Sequence, residues 1–157
     1  MVAMSERQFG AWLGRPMDER DIDEMLSTTG YGTLSLARKN EAYAIPVSFG
    51  YDGDDRVFLA LLETDPPQRK LDFAAACERA CLTVTDVRGR FDWESVVVRG
   101  SLRSVDPETE KFDSLLTTLD DNAWFSSAFV RDSGIESLSG YVLQADEVTG
   151  LQKERRD

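Results

Sequence analysis

Histidine is missing from all 157 residues. Its absence removes Ser-His-Asp triads, Cys-His pairs, His-ligated haem and nearly all common zinc sites. Cysteine is scarce: Cys77 and Cys81 stand alone in the run CERAC. A C-x3-C pair cannot complete a structural zinc site, and a reducing cytoplasm disfavours a disulfide, so the two read as small buried residues. Lysine occurs only 4 times, beside 14 Arg, 17 Asp and 12 Glu, and the net charge is −11. A surface of that sign repels nucleic-acid phosphate and anionic lipid, so neither nucleic acid nor membrane is expected as a partner. No apolar run reaches the roughly 20 residues of a membrane helix. The opening MVAMSERQFGAWLGRP lacks the basic-then-apolar order of a secretory signal, and the expected location is cytoplasmic. Many short acids with little lysine suit a halophilic chain; a merely acidic mesophilic protein has the same composition. No G-x-G-x-x-G follows a strand-like run, which excludes a Rossmann-type nucleotide site.

What is present fits one domain with a sizeable core: 41% of the residues are hydrophobic. Residues 1–16 show no period and read as an extension that can move, 17–152 as the domain, and 153–157 as a polar tail. Ile22, Met25 and Leu26 form a one-faced stripe on a short helix, with Asp18 and Glu19 in its first turn and Gly30 as its C-terminal cap. YGTLSLAR (31–38) and AYAIPVSFG (42–50) alternate as strands around a KNE turn. Tyr43, Ile45, Val47 and Phe49 share one face. Pro46 donates no ladder hydrogen bond, so it marks an edge or an open stretch of backbone. YDGDD is a hairpin turn, and RVFLALL reads as a strand buried on both faces. After ETDPPQ, a helix QRKLDFAAAC is expected to pack through Leu71, Ala74 and Ala75. Two strands follow, ACLTVTDV and FDWESVVVRGSLRSV, with Gly100 as a bulge or kink. Next comes a helix capped by Asp106, with Pro107 at its first position and Phe112, Leu115, Leu116 and Leu119 as its stripe. Residues 120–137 are irregular or helical, with an aromatic cluster at Trp124, Phe125 and Phe129. GYVLQADEVTG is the last strand. Six strands with short connections and helices at the ends predict a mainly β fold, an antiparallel barrel.

Residues 46–72 carry the chemistry. A strand with open backbone around Pro46 to Phe49 precedes a strand and a Pro-rich loop, and the loop delivers Arg69 and Lys70 to the first turn of a helix. Cations there oppose the helix dipole at a cost of roughly 0.3–1 kcal/mol. A bound anion would reverse that penalty, using the free N–H groups of the helix start and both side chains. The stretch is a candidate phosphate pocket; pairing of Arg69 and Lys70 with surface acids is the alternative. In WESVVVRGSL, alternation places Trp93, Ser95, Val97 and Arg99 on one face and Glu94, Val96 and Val98 on the other.

The order and spacing of GYGTLSL, AYAIPVSFGYDGDDRVFL, RKLD, ACLTV, ESVVVRGSL and ADEVTG resemble the pyridoxamine 5'-phosphate oxidase-like family over most of residues 17–151. That resemblance implies a six-stranded antiparallel split barrel that binds FMN, in a homodimer with two flavin sites at its interface. It implies that Pro46, Val47, Ser48 and Phe49 lie against the isoalloxazine ring, and that Lys70, with Arg69, holds the phosphate. Thr64 falls where the family often places a phosphate-binding hydroxyl, and Ser95, five residues before Gly100, where relatives put a polar residue that reaches the cofactor. Trp93 or Trp124 would cover the ring, from either subunit. Two departures narrow the function. The region ALLET lacks the His that many nitroimidazole reductase-like relatives carry after this strand, and QKERRD, with Arg155 and Arg156, lacks the basic pattern that holds pyridoxamine phosphate. The resemblance therefore implies an FMN-dependent oxidoreductase acting on an unidentified small molecule, with no assigned catalytic side chain and no metal. A non-catalytic flavin-storing or sensing protein and a deazaflavin-binding relative stay open.

Overall fold

The computed structural model describes residues 14–62, 69–121 and 138–153. In chain order the elements are β1 (Arg15–Pro16), α1 (Glu19–Thr29), β2 (Tyr31–Arg38), β3 (Glu41–Tyr51), β4 (Arg56–Leu62), α2 (Arg69–Ala76), β5 (Arg79–Gly89), β6 (Asp92–Val105), α3 (Glu110–Asp120) and β7 (Leu138–Lys153). All strand pairs are antiparallel. The sheet order is β1-β7-β4-β3-β2-β5-β6, and β6 also pairs with β7. That second pairing closes six strands into a ring, the expected barrel. The strand count is nevertheless seven, because Arg15 and Pro16 pair with Gln152 and Leu151 on the flank of β7. A two-residue strand has no period to read, and it lies inside the segment expected to be an extension.

Local sequence explains most of the elements. The side chain of Asp18 accepts the Asp21 N–H and caps α1, while Gly30 ends the helix in the left-handed region. Ile22, Met25 and Leu26 are buried, as their spacing predicts. Lys39 and Asn40 both have positive φ, the geometry of a two-residue hairpin turn. RVFLALL is buried on both faces for a specific reason. Val57, Leu59 and Leu61 enter the barrel core, whereas Phe58 enters a second, smaller cluster with Phe112, Leu115 and Leu119 of α3. Gly50 lets α3 approach closely, since a Cβ there would lie 2.8 Å from the Thr118 backbone.

Two helices depart from expectation. The side chain of Asp106 accepts the Glu108 N–H, and its carbonyl accepts from Thr109. These bonds make a separate turn that contains Pro107, so α3 starts later, at Glu110, with Thr109 as its cap. In α2 the buried residues are Phe73 and Ala74, whereas Ala75 is exposed. Phe73 is the anchor because its ring stacks on Tyr43 of β3 at 5.0 Å. An irregularity does fall at Gly100, but the extra residue is on the partner strand: Arg99 pairs with Glu147 and Gly100 with Ala145, so Asp146 of β7 is the bulged residue.

Candidate functional site

Among the described residues, the first part of β3 has a backbone edge without a neighbouring strand. The Phe49 N–H donates to the Gly30 carbonyl at 3.0 Å. Odd-numbered residues of β3 therefore turn their backbone groups toward β2, and even-numbered residues turn theirs away. β4 meets β3 only over Phe49–Tyr51. Among the described residues, the backbone groups of Ala42, Ala44 and Pro46 and the N–H of Ser48 thus face an edge that no strand occupies. Pro46 fits this edge because the N–H it lacks would have pointed outward. The edge keeps the Pro46 carbonyl as an acceptor and the Ser48 N–H as a donor, side by side.

α2 lies at the hairpin end of the same strand. Arg69 Nη1 is 3.7 Å from Glu41 Oε1, both on exposed side chains. The Arg38 guanidinium lies over the Phe73 ring at 4.6 Å. Arg38, Lys39, Arg69 and Lys70 therefore gather around one corner of the barrel, against Glu41 and Asp72. Among the described residues this corner has four cations against two carboxylates, on a chain of net charge −11. Lys70 is half-buried and has no ion pair among the described residues. Arg38 was not legible as part of the site. The turn sets it opposite Glu41, but only the tertiary packing of Phe73 carries α2 to it.

Pro46 is exposed, Val47 and Ser48 are half-buried, and the Phe49 side chain is in the barrel core at 1% exposure. With its ring in the core and its N–H bonded to Gly30, Phe49 presents neither to the open edge. Trp93 and Ser95 lie elsewhere, on β6. Between β3 and β6 run β2 and β5, a separation of roughly 14 Å. The Trp93 ring packs on Gly14, where a Cβ would come within 2.9 Å of it. One chain therefore brings Pro46–Ser48, Arg69 and Lys70 to one edge and corner, and it does not bring Trp93 and Ser95 to them. Thr64 and Trp124 fall outside the described residues, as do Arg155 and Arg156.

Trp93 and Ser95 belong instead to the outer face of the barrel. One cross-strand row reads Pro46, Thr33, Thr83, Val97, Thr149; beside it, Tyr31 faces Ser48, and Ser95 lies between Thr85 and Leu151. Neither row contains a charge. Tyr31 and Leu151 are 49% and 46% exposed, on a chain whose charged residues make up 30% of the total.

The strongest electrostatic perturbations lie away from the β3 edge. Burial, then the hydrogen bond to Asp23, pushes the Tyr51 hydroxyl above its usual range. The Arg79 hydrogen bonds hold the Asp146 carboxyl below its usual range, and Asp92 raises Arg88. Among the described residues no group of three or more His, Cys, Asp or Glu side chains could hold a metal ion, and no helix is long and apolar enough to cross a membrane.

A family model described as pyridoxamine 5'-phosphate oxidase matches residues 18–152. Among curated proteins none matches the chain. Solved structures share the fold at low identity. A FAD-binding protein from Mesorhizobium loti is 18% identical, with a TM-score of 0.66, over 87% of this chain and 95% of that one. A FAD- and haem-binding protein from Mycobacterium smegmatis is 17% identical, with a TM-score of 0.67, over 88% and 72%. A haem storage protein from Vibrio cholerae is 11% identical, with a TM-score of 0.68, over 86% and 94%.

Proposed function

Since this chain belongs to the pyridoxamine 5'-phosphate oxidase family, we propose that it binds FMN along the open edge of β3 and works as a cytoplasmic oxidoreductase. The observation that carries the reading is that edge. It offers an acceptor and a donor, the Pro46 carbonyl and the Ser48 N–H, to the pyrimidine edge of a flavin. It runs toward the cation-rich corner at α2, where Lys70, Arg69 and Arg38 suit a phosphate. The edge and the corner are about five residues apart on one strand, a span that the ribityl phosphate and the long cationic side chains bridge together. Flavin-binding proteins of the same fold support the choice of cofactor class.

The flavin supplies hydride or electron transfer from a donor such as NAD(P)H to a small-molecule acceptor. The protein's part is to bind the ring by backbone, to hold the phosphate by Lys70 and Arg69, and to exclude water. A second copy of the chain on the two uncharged rows of the outer face completes the site in this reading. It covers Tyr31, Val97 and Leu151 and brings its own Ser95 and Trp93 toward the ring.

The deciding experiment is the visible spectrum of protein purified in high salt, followed by titration with FMN, FAD and deazaflavin. About one FMN retained per chain through desalting is expected. No retained chromophore and no binding on titration would end the FMN reading. A second reading, flavin held without turnover, is favoured by the absence of histidine and by the position of the shifted titratable groups away from the edge. Reoxidation of the photoreduced protein at the free-flavin rate, whatever acceptor is offered, would select it.

A further inference from the structure

The cation at the start of α2 already has an anion beside it. Arg69 and Glu41 approach to 3.7 Å with 74% and 57% of their side chains exposed. That is an ion pair in water, outside hydrogen-bond range, and one that a better anion can displace. The Glu41 backbone is anchored, because it is the first residue of β3 and is paired in register with Arg38. Arg38 in turn is held on the ring of Phe73, one helical turn after Arg69. The backbone thus keeps this carboxylate within reach of the proposed phosphate corner, while its exposed side chain can swing away.

Resting on the phosphate reading above, we propose that Glu41 is a built-in competitor for the cofactor phosphate. It occupies Arg69 in the empty protein and is displaced when a phosphorylated flavin binds. Two consequences separate this from an incidental surface pair. Binding exchanges one anion for another at Arg69, so Arg69 adds little net charge pairing and the salt dependence of FMN binding comes chiefly from Lys70. Moreover, the cost of displacing Glu41 falls on phosphorylated flavins alone, since riboflavin has no anion to compete with it. In a chain rich in Asp and Glu, such an exchange keeps the contribution of Arg69 to cofactor affinity nearly constant as ionic strength changes.

The test uses the full chain as wild type, Glu41→Gln, Arg69→Gln and the double variant, titrated with FMN and with riboflavin from low salt to about 1 M salt. Both positions are exposed, so the fold should tolerate the changes. At low salt E41Q is expected to bind FMN about two- to five-fold more tightly than wild type, the range of an exposed ion pair. The gain should disappear at high salt, be absent for riboflavin and be absent in the R69Q background. A gain equal for FMN and riboflavin, a gain that persists without Arg69, or no gain at all would overturn the role of Glu41. A wild type that binds FMN no more tightly than riboflavin would instead overturn the phosphate assignment itself, and this competition with it.

Discussion

Lys70 bears most directly on the phosphate reading at the scale of single residues. Lys70→Ala removes a half-buried cation with no ion pair among the described residues. Loss of a charge-assisted hydrogen bond is worth about 1.5–3 kcal/mol, so FMN should bind roughly ten- to a hundred-fold more weakly. Equal affinity in both proteins, measured by flavin fluorescence, would remove Lys70 from the site. Tyr51 makes a prediction about pH. Its hydroxyl donates to Asp23 Oδ1 at 2.6 Å and ties β3 to α1. Burial and that bond keep it protonated beyond the ordinary tyrosine range. Above about pH 10 the unfolded tyrosine ionises while the folded one resists. Its contribution is therefore present below that pH and lost as pH rises. Tyr51→Phe should cost about 0.5–1 kcal/mol at neutral pH and flatten the alkaline fall in denaturant midpoint. The lesson at this scale concerns reach. Lys70 and Pro46 were legible because a helix start and a missing N–H act locally, whereas Arg38 and Glu41 became neighbours of α2 only through the Tyr43–Phe73 stack.

At the scale of elements, Gly100 is the position the sheet tolerates least in another residue. It stands at the shift of β6 against β7, and a Cβ there would overlap the Gln144 carbonyl. Gly100→Ala should destabilise by about 3 kcal/mol or more, because a backbone rather than a flexible side chain must move. A denaturant midpoint within error of wild type would contradict this close approach. Strand alternation was readable because each face of β2, β3 and β6 meets one environment. The start of α3 was misread because Asp106 can cap a turn as well as a helix, and nothing local chooses between them. β1 was unreadable for a related reason: two residues carry no period, and their pairing depends on a partner more than 130 residues away.

The whole molecule combines a net negative charge with two adjacent uncharged rows on the outer face of the barrel, and the two respond to salt differently. Self-repulsion at a net charge of −11 weakens the compact state at low ionic strength, so the melting temperature should rise as salt is added. The outer-face rows should associate in the same conditions. Light scattering is expected to give twice the 17.6 kDa chain mass, and Val97→Arg, at the centre of a row, should return the monomer mass. A monomeric wild type in high salt would leave the flavin site without its second subunit. The closing of the barrel has a consequence in time as well as in space. β7 is the strand that touches β1, β4 and β6, and it lies at residues 138–153. On the ribosome every other strand is made before the one that joins them. A nascent chain that stops short of residue 138 would carry two bare strand edges, β4 and β6, and a half-built core. Such a chain is exposed to aggregation until β7 emerges, and folding should be slow for a protein of this size because barrel closure joins β7 to strands made well before it.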